Sequence, residues 1–178
     1  MNGLIGLKRS SVLVAISFAA WASAHAAESG RPAALAAYAG KYPFDLVNGV
    51  SFRENKVVVA AVKAAVAGMS DRAELIQLFL SPGQPVDTPI ALLSDGRIYS
   101  RSFDPASGGE TNWAILITKE QGEDKAALCL SDNAVYGDGF SDWYFDGYIA
   151  FSTKGPCPSE KEEIEKAIGQ WPAGPRPN

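Results

Sequence analysis

Histidine is almost missing from this chain: His25 is the single one in 178 residues, and it lies in a leader-like segment. A Ser-His-Asp triad or a Cys-His pair needs an imidazole to take the nucleophile's proton, and imidazole-based zinc sites need it as a ligand. Both chemistries are excluded for everything after residue 26. Other catalytic devices are missing too. No Ser-x-x-Lys, Gly-x-Ser-x-Gly or Gly-x-x-x-x-Gly-Lys occurs, so no serine has a placed base and no glycine-rich loop cradles phosphate. We expect no catalytic residues, no cofactor and no enzyme activity. Positive charge is also in short supply, with 16 Lys and Arg against 20 Asp and Glu, net −4. A nucleic-acid binder displaces counterions with a broad basic surface, so nucleic acid is not an expected partner.

The chain has little long apolar sequence. The run over residues 12–21 is about half of the ~20 residues that cross a bilayer core. Lys8 and Arg9 precede it and Ala24-His25-Ala26 follows it, which completes the three-part pattern of a secretory signal peptide. We therefore expect a signal peptide over residues 1–26, with Ala22-Ser23-Ala24 as a second cut, and no membrane anchor, because no cysteine near the cut could carry a lipid. Cleavage removes Lys8, Arg9 and His25, leaving 14 basic against 20 acidic residues, net −6. That charge attracts cationic partners at a distance.

Cysteine is scarce as well. Cys129 and Cys157 are the two present, and an oxidising compartment favours joining them. A structural staple is the expected role, since there is no Cys-x-x-Cys to activate a thiol.

What is present reads as helices followed by hairpins. Over residues 56–69, Val58, Ala61, Val62, Ala65, Val66 and Met69 recur at helical steps and form one face. A second helix is expected after Ser70 or Asp71, with Glu74 reaching back to cap it and Leu75, Leu78 and Phe79 as its buried stripe. Pro82, Gly83 and Pro85 end it. Strands are expected at 89–93 and 97–103 around Ser94-Asp95-Gly96, at 113–118 and 126–130 around a polar turn, and at 143–145 and 148–152 around Asp146-Gly147. Ser159-Glu160-Lys161-Glu162 matches a capping box that opens a last helix reaching Ile168. The expected fold class is α+β: an antiparallel five- to six-stranded sheet with N-terminal helices and a C-terminal helix packed on it, the helices covering one sheet face. Residues 27–171 form a single domain and 172–178 a flexible tail.

Three features invite a functional reading. Phe103-Asp104-Pro105-Ala106-Ser107-Gly108-Gly109-Glu110 joins two expected strands by more than a tight turn, and it is read as a target-binding loop. Its tip, Ser107-Gly108-Gly109, would offer backbone N–H groups to a target carboxylate, with Asp104 and Glu110 facing basic residues at the rim. Asp132, Asp138, Asp142 and Asp146 form an acidic stretch, but the spacing is not an EF-hand and Asp-Gly turns account for most of it. No metal site is expected. Trp143, Tyr144, Phe145 and Tyr148 are either an aromatic surface or, by alternation, half core.

Tyr42-Pro43-Phe44-Asp45, Gly49-Val50-Ser51-Phe52, the 60–66 helix, Thr88-Pro89-Ile90, Asn112-Trp113-Ala114-Ile115-Leu116-Ile117 and Gly155-Pro156-Cys157-Pro158-Ser159-Glu160, in this order, resemble the inhibitor of vertebrate lysozyme (Ivy)-like family. The resemblance covers roughly residues 42–160. It implies a periplasmic α+β domain that inhibits or binds lysozyme, or a related cell-wall muramidase, by a loop. The family's loop is a Cys-x-x-His-x-Cys-like motif closed by its own disulfide. The matching stretch here, 101–110, has neither Cys nor His, so none of the family's inhibitory residues maps onto this chain. Binding of another envelope protein or ligand without inhibition is the alternative expectation, and a carboxylate-based hydrolase is a distant third.

Overall fold

The computed structural model describes residues 34–81, 85–132 and 139–172. The expected signal peptide, Asp138 of the acidic stretch and residues 173–178 of the expected tail lie outside them. A 3-10 turn (Leu35–Tyr38) leads into a small hairpin of β1 (Leu46–Val47) and β2 (Val50–Ser51), followed by α1 (Lys56–Ala65) and α2 (Arg72–Leu80). Then come β3 (Val86–Asp87), β4 (Ala91–Leu92), β5 (Ile98–Phe103), β6 (Thr111–Glu120), β7 (Glu123–Asp132), β8 (Phe140–Phe145), β9 (Tyr148–Lys154) and α3 (Lys161–Ile168). The fold is α+β. Its main sheet is antiparallel, in the order β3-β5-β6-β7-β8-β9 with β4 also on β5.

That makes seven strands where five or six were expected. The extra one is β3, two residues after Pro85, too short to show any alternation. The strand expected at 89–93 contracts to β4 for a related reason: Pro89 has no N–H to give a ladder. Residues 38–52 contain the β1–β2 hairpin. The sheet's central hairpin is longer than expected, because the polar stretch 119–125 continues both strands up to a two-residue turn, Gln121-Gly122, with φ of 52° and 88°. Asp146-Gly147 turns in the same way, with φ of 50° and 84°.

Each local signal has a physical cause. The Asn55 side chain accepts from the Val57 N–H and caps α1. The expected stripe of Val58, Ala61, Val62 and Ala65 is buried, but the helix stops at Ala65, with Val66 still buried and Met69 half-buried beyond it. At α2 the expected side-chain cap is absent. Glu74 donates its N–H to the Asp71 carbonyl instead. Just past α1 the chain meets the β8–β9 turn: Gly147 donates to the Ala65 carbonyl at 2.9 Å. A Cβ on Gly68 would lie 2.6 Å from the Gly147 oxygen, so this approach requires glycine.

Alternation along the central strands sends side chains to two cores. Trp113, Ile115 and Ile117 of β6 join Ala126, Leu128 and Leu130 of β7 beneath α1, α2, Tyr38 and Phe52. Ala114, Leu116, Ala127 and Cys129 join Trp143, Phe145, Ile164, Ile168 and Trp171 beneath α3. Helices therefore cover both faces of the sheet, which corrects the expectation of a single covered face. The central strands show why: seven consecutive residues of β6, 112–118, are buried, the pattern of a strand with no solvent side. Trp143, Tyr144 and Phe145 all enter these cores and only Tyr148, at 46%, is exposed, so the aromatic quartet is no binding surface.

Three side chains, Arg97 just before β5 and Tyr99 and Arg101 within it, fasten the C-terminal segment. Arg97 donates to the carbonyls of Trp171 and Gly169, both at 2.6 Å, and to Asp95. The Tyr99 hydroxyl donates to the Pro158 carbonyl and Arg101 Nε to the Cys157 carbonyl. Burial pushes the Tyr99 phenol far above its usual pKa. Trp171 and Pro172, the latter the first residue of the expected tail, are buried.

The α3 cap sits one residue later than the expected box. Glu163 accepts from the Ser159 N–H and hydroxyl, both at 2.9 Å, and from the Glu160 N–H at 3.3 Å. These bonds, those from Ser159 first, hold the Glu163 carboxyl below the usual glutamate range. A carboxylate whose pKa is depressed on folding contributes stability above its unfolded value and loses it as pH falls through the folded one. On acidification below about pH 4 we expect the start of α3 to loosen, seen as shifting Ser159 and Glu160 amide resonances in an NMR titration. In Glu163→Gln, which keeps an acceptor oxygen, that acid step should vanish; an identical step in both proteins would remove Glu163 as its cause.

Candidate functional site

The 103–110 segment connects β5 to β6 at one end of the sheet, and its sequence dictates a closed shape. Asp104 accepts from the Ala106 N–H at 2.8 Å and so caps a 3-10 turn, Pro105–Ser107, in which Pro105 supplies a preset φ. Gly108 and Gly109 follow with φ of 67° and 89° and reverse the chain. The Asp104 N–H then donates to the Thr111 carbonyl at 2.9 Å and closes the neck.

Two side chains hold this turn from inside. The Ser107 hydroxyl donates to the Asp104 carbonyl and accepts from the Thr111 N–H, at 2.8 and 2.9 Å. Asn112 is fully buried. Its Nδ2 donates to the carbonyls of Gly109 and Glu110 at 3.1 and 3.3 Å, while its Oδ1 accepts from the Cys157 N–H at 2.9 Å. All three of its polar contacts are thus with backbone, and two reach the loop.

The tip itself differs from the sequence expectation. The N–H groups of Gly108, Gly109 and Glu110 donate to the carbonyls of Pro105, Asp104 and Ser107. They are committed inside the loop, so a target carboxylate would have to displace them. What the loop shows outward is Pro105, Ala106, Gly108 and Glu110, all exposed, with Asp104 half-buried at the neck. Asp132 lies opposite Thr111 on the neighbouring strand, its carboxylate 3.5 Å from the threonine hydroxyl. This end of the sheet therefore carries Asp104, Glu110 and Asp132. Phe103, at the base, sits half-buried beneath the Arg101 guanidinium, 5.8 Å from the ring centre.

The disulfide Cys129–Cys157 is formed, with both residues fully buried. Asn112 was legible in the sequence only as a member of a resemblance, because a polar residue opening an apolar strand has no local signal for a buried hinge role. Two acids of the acidic stretch are spent singly: Asp142 accepts from Ser152, and Asp146 pairs with Lys125. Among the described residues no three metal-ligating side chains converge.

A cleft of about 350 Å³ lies between β9 and α3, lined by Thr153, Lys154, Pro156, Pro158, Glu163 and Lys166 among others. It contains one carboxylate, Glu163, already engaged in the helix cap. A carboxylate hydrolase needs two, some 5–10 Å apart. Among the described residues no helix is long and apolar enough to cross a membrane. No protein-family model, curated protein or solved structure matches this chain.

Proposed function

We propose that this chain is an exported, periplasmic binding protein of the lysozyme-inhibitor type, docking its 103–110 loop onto a lysozyme or a related cell-wall muramidase. One observation carries the reading: the loop is a preshaped protrusion, held by Ser107 and Asn112 and not by a disulfide of its own. A loop already ordered before contact loses little conformational entropy on binding. Its acidic flank, Asp104 and Glu110 with Asp132 beside them, suits a target with basic residues around its cleft. The Ivy-like resemblance and the signal-type leader agree with this reading. Since the tip N–H groups are occupied, docking works by shape and by rim charge, without a group that titrates inside the target's active site. Inhibition of c-type lysozyme should accordingly be weak and should decline as salt rises.

The test is retention of muramidases on the immobilised mature protein at low salt, with lytic activity assayed in parallel. Deleting residues 106–109 should abolish retention; because it also removes Ser107 and the Gly109 carbonyl held by buried Asn112, the thermal midpoint should fall by several degrees while the variant stays folded at 25 °C. Equal retention by the deletion variant would place the binding surface elsewhere on the domain. A second reading, docking onto another envelope protein without inhibition, is favoured by the missing Cys and His at 101–110. Failure to retain any muramidase selects it.

A further inference from the structure

The loop has no covalent closure, yet a single side chain, Asn112, links it to the protein's disulfide. Cys129 faces Ala114 in the β6–β7 register, two residues from Asn112. Bonding to Cys129 fixes Cys157 beneath the start of β6. Cys157 then donates its N–H to Asn112 Oδ1, and this bond sets which way the carboxamide points. With Oδ1 so engaged, Nδ2 faces the loop and donates to the carbonyls of Gly109 and Glu110. Those two carbonyls belong to the returning arm of the loop. Full burial of Asn112 means no water replaces a lost partner, so the carboxamide is held by all its bonds or is unsatisfied.

We infer that Asn112 is a positioning residue that couples the Cys129–Cys157 disulfide to the 103–110 loop, so that the loop keeps its docking shape only while that bond is in place. The consequence for a target rests on the function proposed above; the coupling itself does not. An Ivy-like loop is closed by its own disulfide, whereas here a disulfide between β7 and the segment before α3 does the same through one side chain. A competing anchor exists. Arg101 and Tyr99 also hold the carbonyls of Cys157 and Pro158, and if these suffice, the disulfide is irrelevant to the loop.

The experiment measures backbone ¹⁵N order parameters in the free protein, which report native-state motion apart from global stability. In the native protein Gly108, Gly109 and Glu110 should read near the rigid value of about 0.85. In Asn112→Ala, and independently in Cys129→Ala/Cys157→Ala, they should fall below about 0.6 while Ile115 and Leu128 remain rigid. The triple variant should be no more mobile than either parent, because both act through one connection. Additive mobility, or a loop unchanged by disulfide removal, overturns the coupling. Loss of dispersion throughout the spectrum in Asn112→Ala and again in the milder Asn112→Ser also overturns it, since Asn112 would then hold the whole domain. Retention on immobilised c-type lysozyme is measured on the same proteins. If the native protein is retained neither there nor on any related muramidase, the proposed function fails and the coupling result stands on its own.

Discussion

Replacing both Cys129 and Cys157 by alanine will lower the free energy of unfolding by about 3.5 kcal/mol. The two cysteines are 28 positions apart, and the chain-entropy estimate for a loop of that size gives this value. A thermal midpoint decrease of roughly 10 °C follows for a domain of this length. The bond's place in the fold argues that its loss is felt at the C-terminal end first. It ties β7 to the segment before α3, and α3 covers its face of the sheet with Ile164 and Ile168, assisted by Trp171. Trp171 stands edge-on to Trp143, Phe145 and Phe151, with ring centres 4.7–6.0 Å apart. These aromatic contacts and the three side chains, Arg97, Tyr99 and Arg101, that hold C-terminal carbonyls persist without sulfur. The double variant should therefore stay folded at 25 °C, with α3 amides exchanging faster than those of α1. Urea unfolding of the two proteins supplies the comparison. A loss under 1 kcal/mol, or two titratable thiols in the native protein, would show that the staple is not formed or not needed.

Sequence reading recovered those parts of the fold in which local chemistry and tertiary packing agree. The helical stripe of α1 and the Asp146-Gly147 turn carry their own instructions, as periodicity in one case and positive φ in the other. The segments that misled are those in which a partner far away in sequence decides. A two-residue strand such as β3 exists because Phe103 and Ser102 offer it a ladder, and nothing inside Val86-Asp87 announces that. Likewise, the second covered face depends on α3 folding back under Arg97, Tyr99 and Arg101, whose long-range acceptors are carbonyls and leave no sequence trace. For the loop, the location was legible from its Gly and Pro content, but its internal bonding was not. Ser107 and Asn112 look like ordinary polar residues until the chain closes. The same blindness applies to Arg53, a charged residue that no sequence pattern marks as buried.

Arg53→Met is expected to be the most damaging single substitution of a charged residue, costing about 3–5 kcal/mol. Arg53 is 2% exposed. One of its terminal nitrogens lies 2.5 Å from both Asp87 Oδ1 and the Ser102 hydroxyl, and the other donates to the Ser81 carbonyl at 3.1 Å. Phe44 covers it, with the guanidinium carbon 4.6 Å from the ring centre. Burial lowers its pKa and Asp87 opposes that, but an arginine remains charged, so the pair persists as ions in a dry site. Methionine fills most of the volume and leaves the Asp87 carboxylate, itself only 10% exposed, with the Ser102 hydroxyl as its remaining partner. The cost is chiefly that abandoned charge, not the lost attraction, and a second substitution separates the two. Asp87→Asn placed on Arg53→Met removes the uncompensated ion, so the double variant should recover more than half of the loss. Because β3 meets β5 through Asp87 and Ser102, next to Phe103 where the loop begins, the single variant should also loosen that sheet edge before the rest unfolds. Urea denaturation of the native, single and double proteins decides the matter. A single variant within 1 kcal/mol of native, or a double variant worse than the single, would mean that Arg53 serves as packing and that its charge is already screened.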